Sequence, residues 1–332
     1  MHGTRKTCLG ERDPRIDVEM HELLPRRNLA GGDRTFCMAL PHDEAKVFTG
    51  REDGSLFAWP LYQGIDPNRV RVRASIERML VARDGNLVTL TGDGSIIILD
   101  EDDLHVVESL HGAHARGIFS GTFDVQGNVL YTGGLDGFVR AWHYPELVPI
   151  TGTKVRKHGV LSLAMLPRGE LGPLLIAGNV NGNISLLDPA TLSEKRTFKA
   201  HDGPVFSIKT LPDGLANSSS YVSAGSDGSF AWWKADQPSP RARLHTGQAK
   251  LLDVFLQPAP GNVLAWMAGA DGSIGAWLLE PGTSHAEQLA CFHAHDRAVE
   301  QILSSTRGNC LLSVASDGSM MRMRLASNGT SS

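Results

Sequence analysis

The sequence predicts an all-β fold. It is a seven-bladed β-propeller of four-stranded antiparallel blades, with the ring closed by an N-terminal strand in the last blade. Three observations predict it. A tight-turn pair recurs seven times at nearly constant spacing, short β-rich strands flank each pair, and the last repeat lacks a fourth strand while the N-terminus offers a spare one.

The turn pairs are Asp53-Gly54, Asp93-Gly94, Asp136-Gly137, Asn181-Gly182, Asp227-Gly228, Asp271-Gly272 and Asp317-Gly318, separated by 40, 43, 45, 46, 44 and 46 residues. They number the repeats one to seven. Asp-Gly and Asn-Gly are strong hairpin signals, because both turn residues tolerate positive φ. The flanks read as strands: Tyr221-Val-Ser-Ala-Gly precedes the fifth turn and Ser229-Phe-Ala-Trp-Trp follows it. Such runs are rich in β-branched and aromatic residues. A second turn lies about ten residues upstream in most repeats, as at Asp84-Gly85, Gln126-Gly127 and Pro260-Gly261. Each period therefore holds three strands with room for a fourth, one blade per 40–45 residues or so.

Closure follows from the two ends. Few residues remain after Ser319–Leu325, too few for another turn and strand. Upstream, Arg15–His21 alternates apolar Ile16, Val18 and Met20 with polar residues, a strand pattern. It is expected to be the outer strand of blade seven. Residues 1–14 and 326–332 are expected to be flexible tails around a propeller spanning 15–325.

Composition narrows the function. Lys+Arg number 32 and Asp+Glu 36, a net charge of −4, which disfavours nucleic acid as the main ligand. Cys8, Cys37, Cys291 and Cys310 match neither zinc-site nor disulfide spacing, so free thiols are expected. No apolar run resembles a signal peptide or a membrane span. A cytoplasmic or nuclear protein is the expectation.

In register as well as turns, residues 15–325 resemble the WD-repeat family. The resemblance implies a hydrogen-bonded tetrad in each regular blade: a His before the inner strand, a Ser/Thr on the second strand, the turn Asp, and a Trp on the third strand. Blade five has His201, Ser223, Asp227 and Trp233, and blade three has His114, Thr132, Asp136 and Trp142. Blade one has Thr49, Asp53 and Trp59 without a suitable His. Blade seven has His295, Ser313 and Asp317 with Met323 in place of Trp; blade six keeps Asp271 and Trp277, with His245 as a candidate partner. Blade four, with Ala177, Asn181 and Leu187, has none, and no repeat carries the Trp-Asp dipeptide.

His114, His158, His201 and His295 recur near repeat starts, so a structural role outweighs metal ligation. The turn aspartates are spread one per blade and form no close acid–base pair. No nucleophile elbow, phosphate loop or His-Glu-x-x-His occurs. No catalytic residue, cofactor or metal is therefore expected. Arg69, Arg71 and Arg73 alternate on one strand face, where they could meet an anionic partner or guard an outer edge; edge protection is the plainer reading. Asp100–Asp103 reads as a solvated loop, Ser239-Pro240 as a turn that could accept phosphate, and Trp232 and Trp266 as core.

The family resemblance implies a non-catalytic scaffold that binds partner peptides or helices at the channel mouth. The residues it implicates are Phe119, Phe206, Arg297 and Glu300 after the tetrad positions, with Glu52 and Leu135 on the turns. An adaptor or substrate receptor in a mitotic-checkpoint, RNA-processing or ubiquitin-ligase assembly is an alternative, though the Trp-Asp-x-Arg motif of ligase receptors is missing. A third alternative is an enzyme or small-ligand propeller with its site in the channel.

Overall fold

The computed structural model describes residues 17–24, 34–61, 66–155, 158–168, 171–211, 219–237, 239–280, 285–305 and 310–326, with Thr283 and Arg307. Cys8, Ile16, the expected tail at 1–14 and all but Ala326 of the expected tail at 326–332 lie outside them. Strand β1 (Asp17–Leu24) comes first. Six complete blades follow: β2–β5 within Thr35–Arg71, β6–β9 within Ile76–Leu110, β10–β13 within Ile118–Lys154, β14–β17 within Val160–Lys199, β18–β21 within Val205–His245, and β22–β25 within Leu251–His293. Strands β26–β28, within Val299–Ala326, complete the set. The described residues form seven four-stranded sheets, each antiparallel between neighbours.

The turns behave as their residue types require. All seven turn glycines have φ between +70° and +84°. A side chain there would also strike the neighbouring chain: a Cβ on Gly182 would lie 2.0 Å from the His201 carbonyl oxygen. Glycine is thus needed both for its conformation and for the close approach.

Blade seven is closed as the chain ends predict. β1 pairs with β28 (Met320–Ala326) from Asp17 opposite Ala326 to Leu24 opposite Met320. Pairing reaches Ala326, one residue beyond the expected boundary at 325, and residues 15 and 16 lie outside the described ones.

The core is a ring of layers between blades. One cluster joins blades four and five around Trp233, another joins five and six around Trp232 and Phe230, and the seam between seven and one holds Met38, Trp59 and Met320. Trp232 and Trp266 are fully buried, the core positions expected for them. A pleated sheet has two faces, and in a ring each is covered by a neighbouring blade.

Within blades three and five the tetrads form. Trp233 donates its indole N–H to Ser223 Oγ at 2.8 Å, and that hydroxyl lies 2.8 Å from His201 Nε2. His201 Nδ1 is 3.0 Å from Asp227 Oδ1. A serine has one proton to give, so it accepts from Trp233 and donates to a neutral imidazole, whose Nδ1–H donates to the carboxylate. Blade three repeats the chain: Trp142 to Thr132 at 2.9 Å, Thr132 to His114 at 2.8 Å, His114 to Asp136 at 2.9 Å. Burial holds both imidazoles below the ordinary histidine range despite their aspartates. Burial works the other way on Asp136, but the hydrogen bonds from His114 and Arg140 outweigh it and bring the carboxyl down to about 2.

The partial tetrads resolve individually. Trp59 donates to Thr49 at 2.9 Å in blade one, and His295 meets Ser313 at 2.8 Å in blade seven. Blade six departs from expectation. His245 is exposed on the outer strand β21 (Ala242–His245), while buried Gln248 donates to Ser273 Oγ at 2.7 Å. The segment before the inner strand there presents an amide where other blades present imidazole. Met267 stands at the Ser/Thr position, and the Trp277 indole N–H has no hydrogen-bond partner among the described residues.

Two outcomes test this account. Removing residues 1–24 strips the closing strand; at about 2–4 °C per kcal/mol for a chain of this order, losing several kcal/mol should lower Tm by roughly 10 °C in a calorimetric scan. Thr132→Val leaves the Trp142 N–H and His114 Nε2 unpaired, at about 1–3 kcal/mol each, so chemical denaturation should show a loss of about 2–6 kcal/mol.

Candidate functional site

The site is built by a repeated defect in the inner strands. In all seven, the pairing register slips around the second residue, as at Ile118/Ser120 in β10 (Ile118–Phe123) and Val205/Ser207 in β18 (Val205–Thr210). A β-bulge of this kind re-aims one side chain out of the ladder. The residues at that position are Phe36, Glu77, Phe119, Leu161, Phe206, Leu252 and Glu300, each half-buried. Phe119, Leu161 and Phe206 line one small channel cavity of about 20 Å³, together with Arg78 and Lys209. Three of the sequence-expected contact residues, Phe119, Phe206 and Glu300, thus hold equivalent places around the channel. The sequence reading missed Phe36, Glu77, Leu161 and Leu252, although each is the second residue of an inner strand and could have been found by counting.

In five of the seven inner strands the third residue hydrogen-bonds to the next blade and ties the ring together. Ser207 donates to Asp253 at 2.8 Å, Asp253 accepts from the Ile302 N–H at 3.2 Å, and Gln301 accepts from the Met38 N–H at 2.8 Å. The last of these crosses the seam from blade seven to blade one. Asp253 is buried, and Lys209 Nζ lies 3.8 Å from it. Blade two has Arg78 at this position, half-buried and facing the channel cavity.

One sector of the mouth is acidic. Glu300 accepts from Arg34 at 3.3 Å, and Arg34 stacks over Phe36 at 5.5 Å. The Arg34 backbone N–H reaches Glu52 at 3.4 Å. Glu77 accepts a 2.6 Å hydrogen bond from Ser75. Burial, reinforced by Glu77 and only partly offset by Arg34, pushes Glu300 up to about 7. Burial raises Glu77 as well, and Glu52 adds to it. Blades seven, one and two thus bring Glu52, Glu77 and Glu300 around a single arginine.

The remaining candidates lie on turns and bends. Arg297 and Glu52 are exposed, and Leu135 is half-buried beside Gly159. His158 is half-buried two residues before its inner strand and belongs to no tetrad. Asp100, Asp103 and His105 could together offer a cation three ligand atoms, but Asp103 and His105 are exposed on a loop and hydrogen-bonded to each other. Ser239 is exposed, as the loop reading requires. No helix of the described residues is long and apolar enough to cross a membrane.

Glu300 makes a pH prediction. Its pKa is raised by folding, so it favours the folded state below the unfolded value near 4.5 and loses that contribution as pH rises through about 7. Glu300→Gln removes the burial cost of the charge, and the exposed Arg34 partner is worth little. The variant should melt a few degrees above the parent at pH 8 and equal it at pH 4.

Comparison with known proteins agrees with the geometry. A family model described as WD domain, G-beta repeat, matches residues 106–143 and 192–234. These segments carry the second and third strands of blades three and five, the two with complete tetrads. Among solved structures, the crystal structure of RRP9 WD40 repeats superposes with a TM-score of 0.75 at 16% identity, covering 94% of this chain and 100% of that chain. At that identity the likeness is one of fold. With repeat matches in these two segments, tetrads at their register positions and a closed seven-bladed ring, the chain is similar to WD-repeat proteins in sequence over those segments and to WD40 propellers in fold.

Proposed function

We propose that the chain is a non-catalytic interaction scaffold, a subunit that receives a segment of a partner protein over the channel mouth. The observation that carries this reading is the bulge ring: five apolar side chains, Phe36, Phe119, Leu161, Phe206 and Leu252, share one level with Glu77 and Glu300. Half-buried aromatic groups beside charges are what binding hot spots are made of. The buried charge nearby, Asp253, is already committed to the Ser207 hydroxyl and the Ile302 amide, and so serves the ring. Glu52, Glu300 and Arg297 would select the partner's charge at the rim, where rim charges set association rate more than final affinity.

The acidic sector favours a partner segment with a basic residue over blades seven to two. Ionisation of Glu300 would strengthen that contact as pH rises through about 7.

Affinity purification from the native cell tests the proposal, comparing the wild type with Phe206→Ala and Arg297→Glu. Wild-type partners should fall about tenfold or more in both variants, at the cost of one hot spot, while thermal melting confirms both rings intact. Equal recovery of the same proteins by all three would refute the channel mouth as the docking face.

A further inference from the structure

Between blades one and two lies a second concavity, of about 180 Å³. Its origin is a missing tetrad histidine. Gly54 approaches the Val72 carbonyl oxygen just as Gly94 approaches that of His114 and Gly272 that of His295, so Val72 occupies the histidine's place in blade two. Valine is shorter than imidazole and apolar. The groups that would have met the ring are satisfied without it. Thr89 donates to the Ile97 carbonyl at 3.0 Å, and Asp93 accepts from Thr91 at 2.5 Å and from the Ser95 N–H at 3.1 Å. The space is left with an apolar wall of Val72, Ile97 and Val106.

Its rim is cationic. Arg71, Arg73 and His111, all exposed, line it. Of the three alternating arginines, Arg69 is committed to blade one, donating to Ser55 at 2.8 Å and lying over Phe57. Arg71 donates to the Asp53 carbonyl at 3.1 Å, which leaves its charge uncompensated by that contact. Arg73 is exposed and makes no hydrogen bond or ion pair among the described residues. Asp93 is the one carboxylate lining the space, against two guanidiniums. Val106, 54% exposed, carries the apolar wall out to the surface, and Val107 beside it is 44% exposed.

We infer that this groove receives a peptide segment of a partner that inserts one large apolar side chain and flanks it with acidic residues. An apolar cavity of about 150 Å³ is enough to hold a benzene ring, so one Phe, Leu or Ile side chain fits. Carboxylates beside that side chain meet Arg71 and Arg73 in bidentate geometry. The apolar wall and the net charge of −4 argue against nucleic acid as the occupant. The groove is separate from the channel mouth and does not depend on it.

A phage-displayed random dodecapeptide library, panned on the full chain, tests the inference. The expected selection is peptides with one large apolar residue among Asp and Glu. A synthetic peptide of the selected sequence should then bind Arg73→Glu and Ser109→Trp at least about tenfold more weakly, a change of 1.4 kcal/mol or more, and Phe206→Ala as tightly as the wild type. Ser109 lines the groove and is half-buried, so the tryptophan fills it from the surface, and thermal melting verifies each variant's fold. Selection of basic or uncharged peptides, or of none, overturns the inference. So does equal binding to Ser109→Trp, a loss confined to Phe206→Ala, or displacement of the peptide by single-stranded oligothymidylate.

Discussion

A blade has two apolar faces and cannot cover either by itself. The second strands make this plain: β7 (Leu87–Thr91), β15 (Leu174–Asn179), β19 (Ser220–Gly225) and β27 (Cys310–Ala315) are buried at every residue. Strands buried on both faces read as continuous apolar runs, and such runs are stable only between two neighbours. Seven blades therefore stand or fall as a ring, and the ring needs a closing contact. That contact is the antiparallel pairing of β1 with β28, supported inside by the Gln301 to Met38 bond across the same seam. Polarity then grades outward: β9 (Val106–Leu110) and β13 (Val148–Lys154) are largely exposed and form the rim, while the inner strands keep one row of half-buried residues for the channel.

Much of this could be read from the residues because the determinants are local. Gly at φ > 0 after Asp or Asn marks a hairpin whatever surrounds it, and seven such marks at one period give the blade count. Trp six residues after the turn Asp found its Ser/Thr and His partners in blades three and five because strand pairing converts fixed spacing into fixed contact. The misses have the opposite cause. His245 was the nearest imidazole in sequence for blade six, but the outer strand there ends on it, and the next turn brings Gln248 inward instead. Electrostatic repulsion links Glu52 to Glu77 and Glu77 to Glu300 across blades one, two and seven. Spacing within a single repeat carries no information about that meeting.

The void in blade two illustrates a broader division of labour. Substitutions at tetrad positions are tolerated where the remaining polar groups can satisfy one another, as Thr89, Thr91 and Ser95 do around Val72. Where they cannot, an orphan remains, as at the Trp277 indole beside Met267. Buried unpaired donors cost stability, whereas an apolar void open to solvent costs mainly lost packing. A ring of otherwise sound blades can absorb one such void.

The inner and second strands are constrained by burial on both faces, so their residues have little freedom to encode a partner. Freedom exists at the bulge residues, whose side chains leave the ladder, and at the outer strands and the turns beside them. Those are the places where this chain departs most from a uniform repeat: acids at the second position of blades two and seven, arginines along the outer strand of blade one, valine for histidine in blade two. The regular positions hold the ring, and the irregular ones distinguish one blade from the next. On the proposed role, a partner would bind in only one rotational setting of an otherwise near-symmetric ring, because its charges and apolar anchors would have to match blades that are not equivalent.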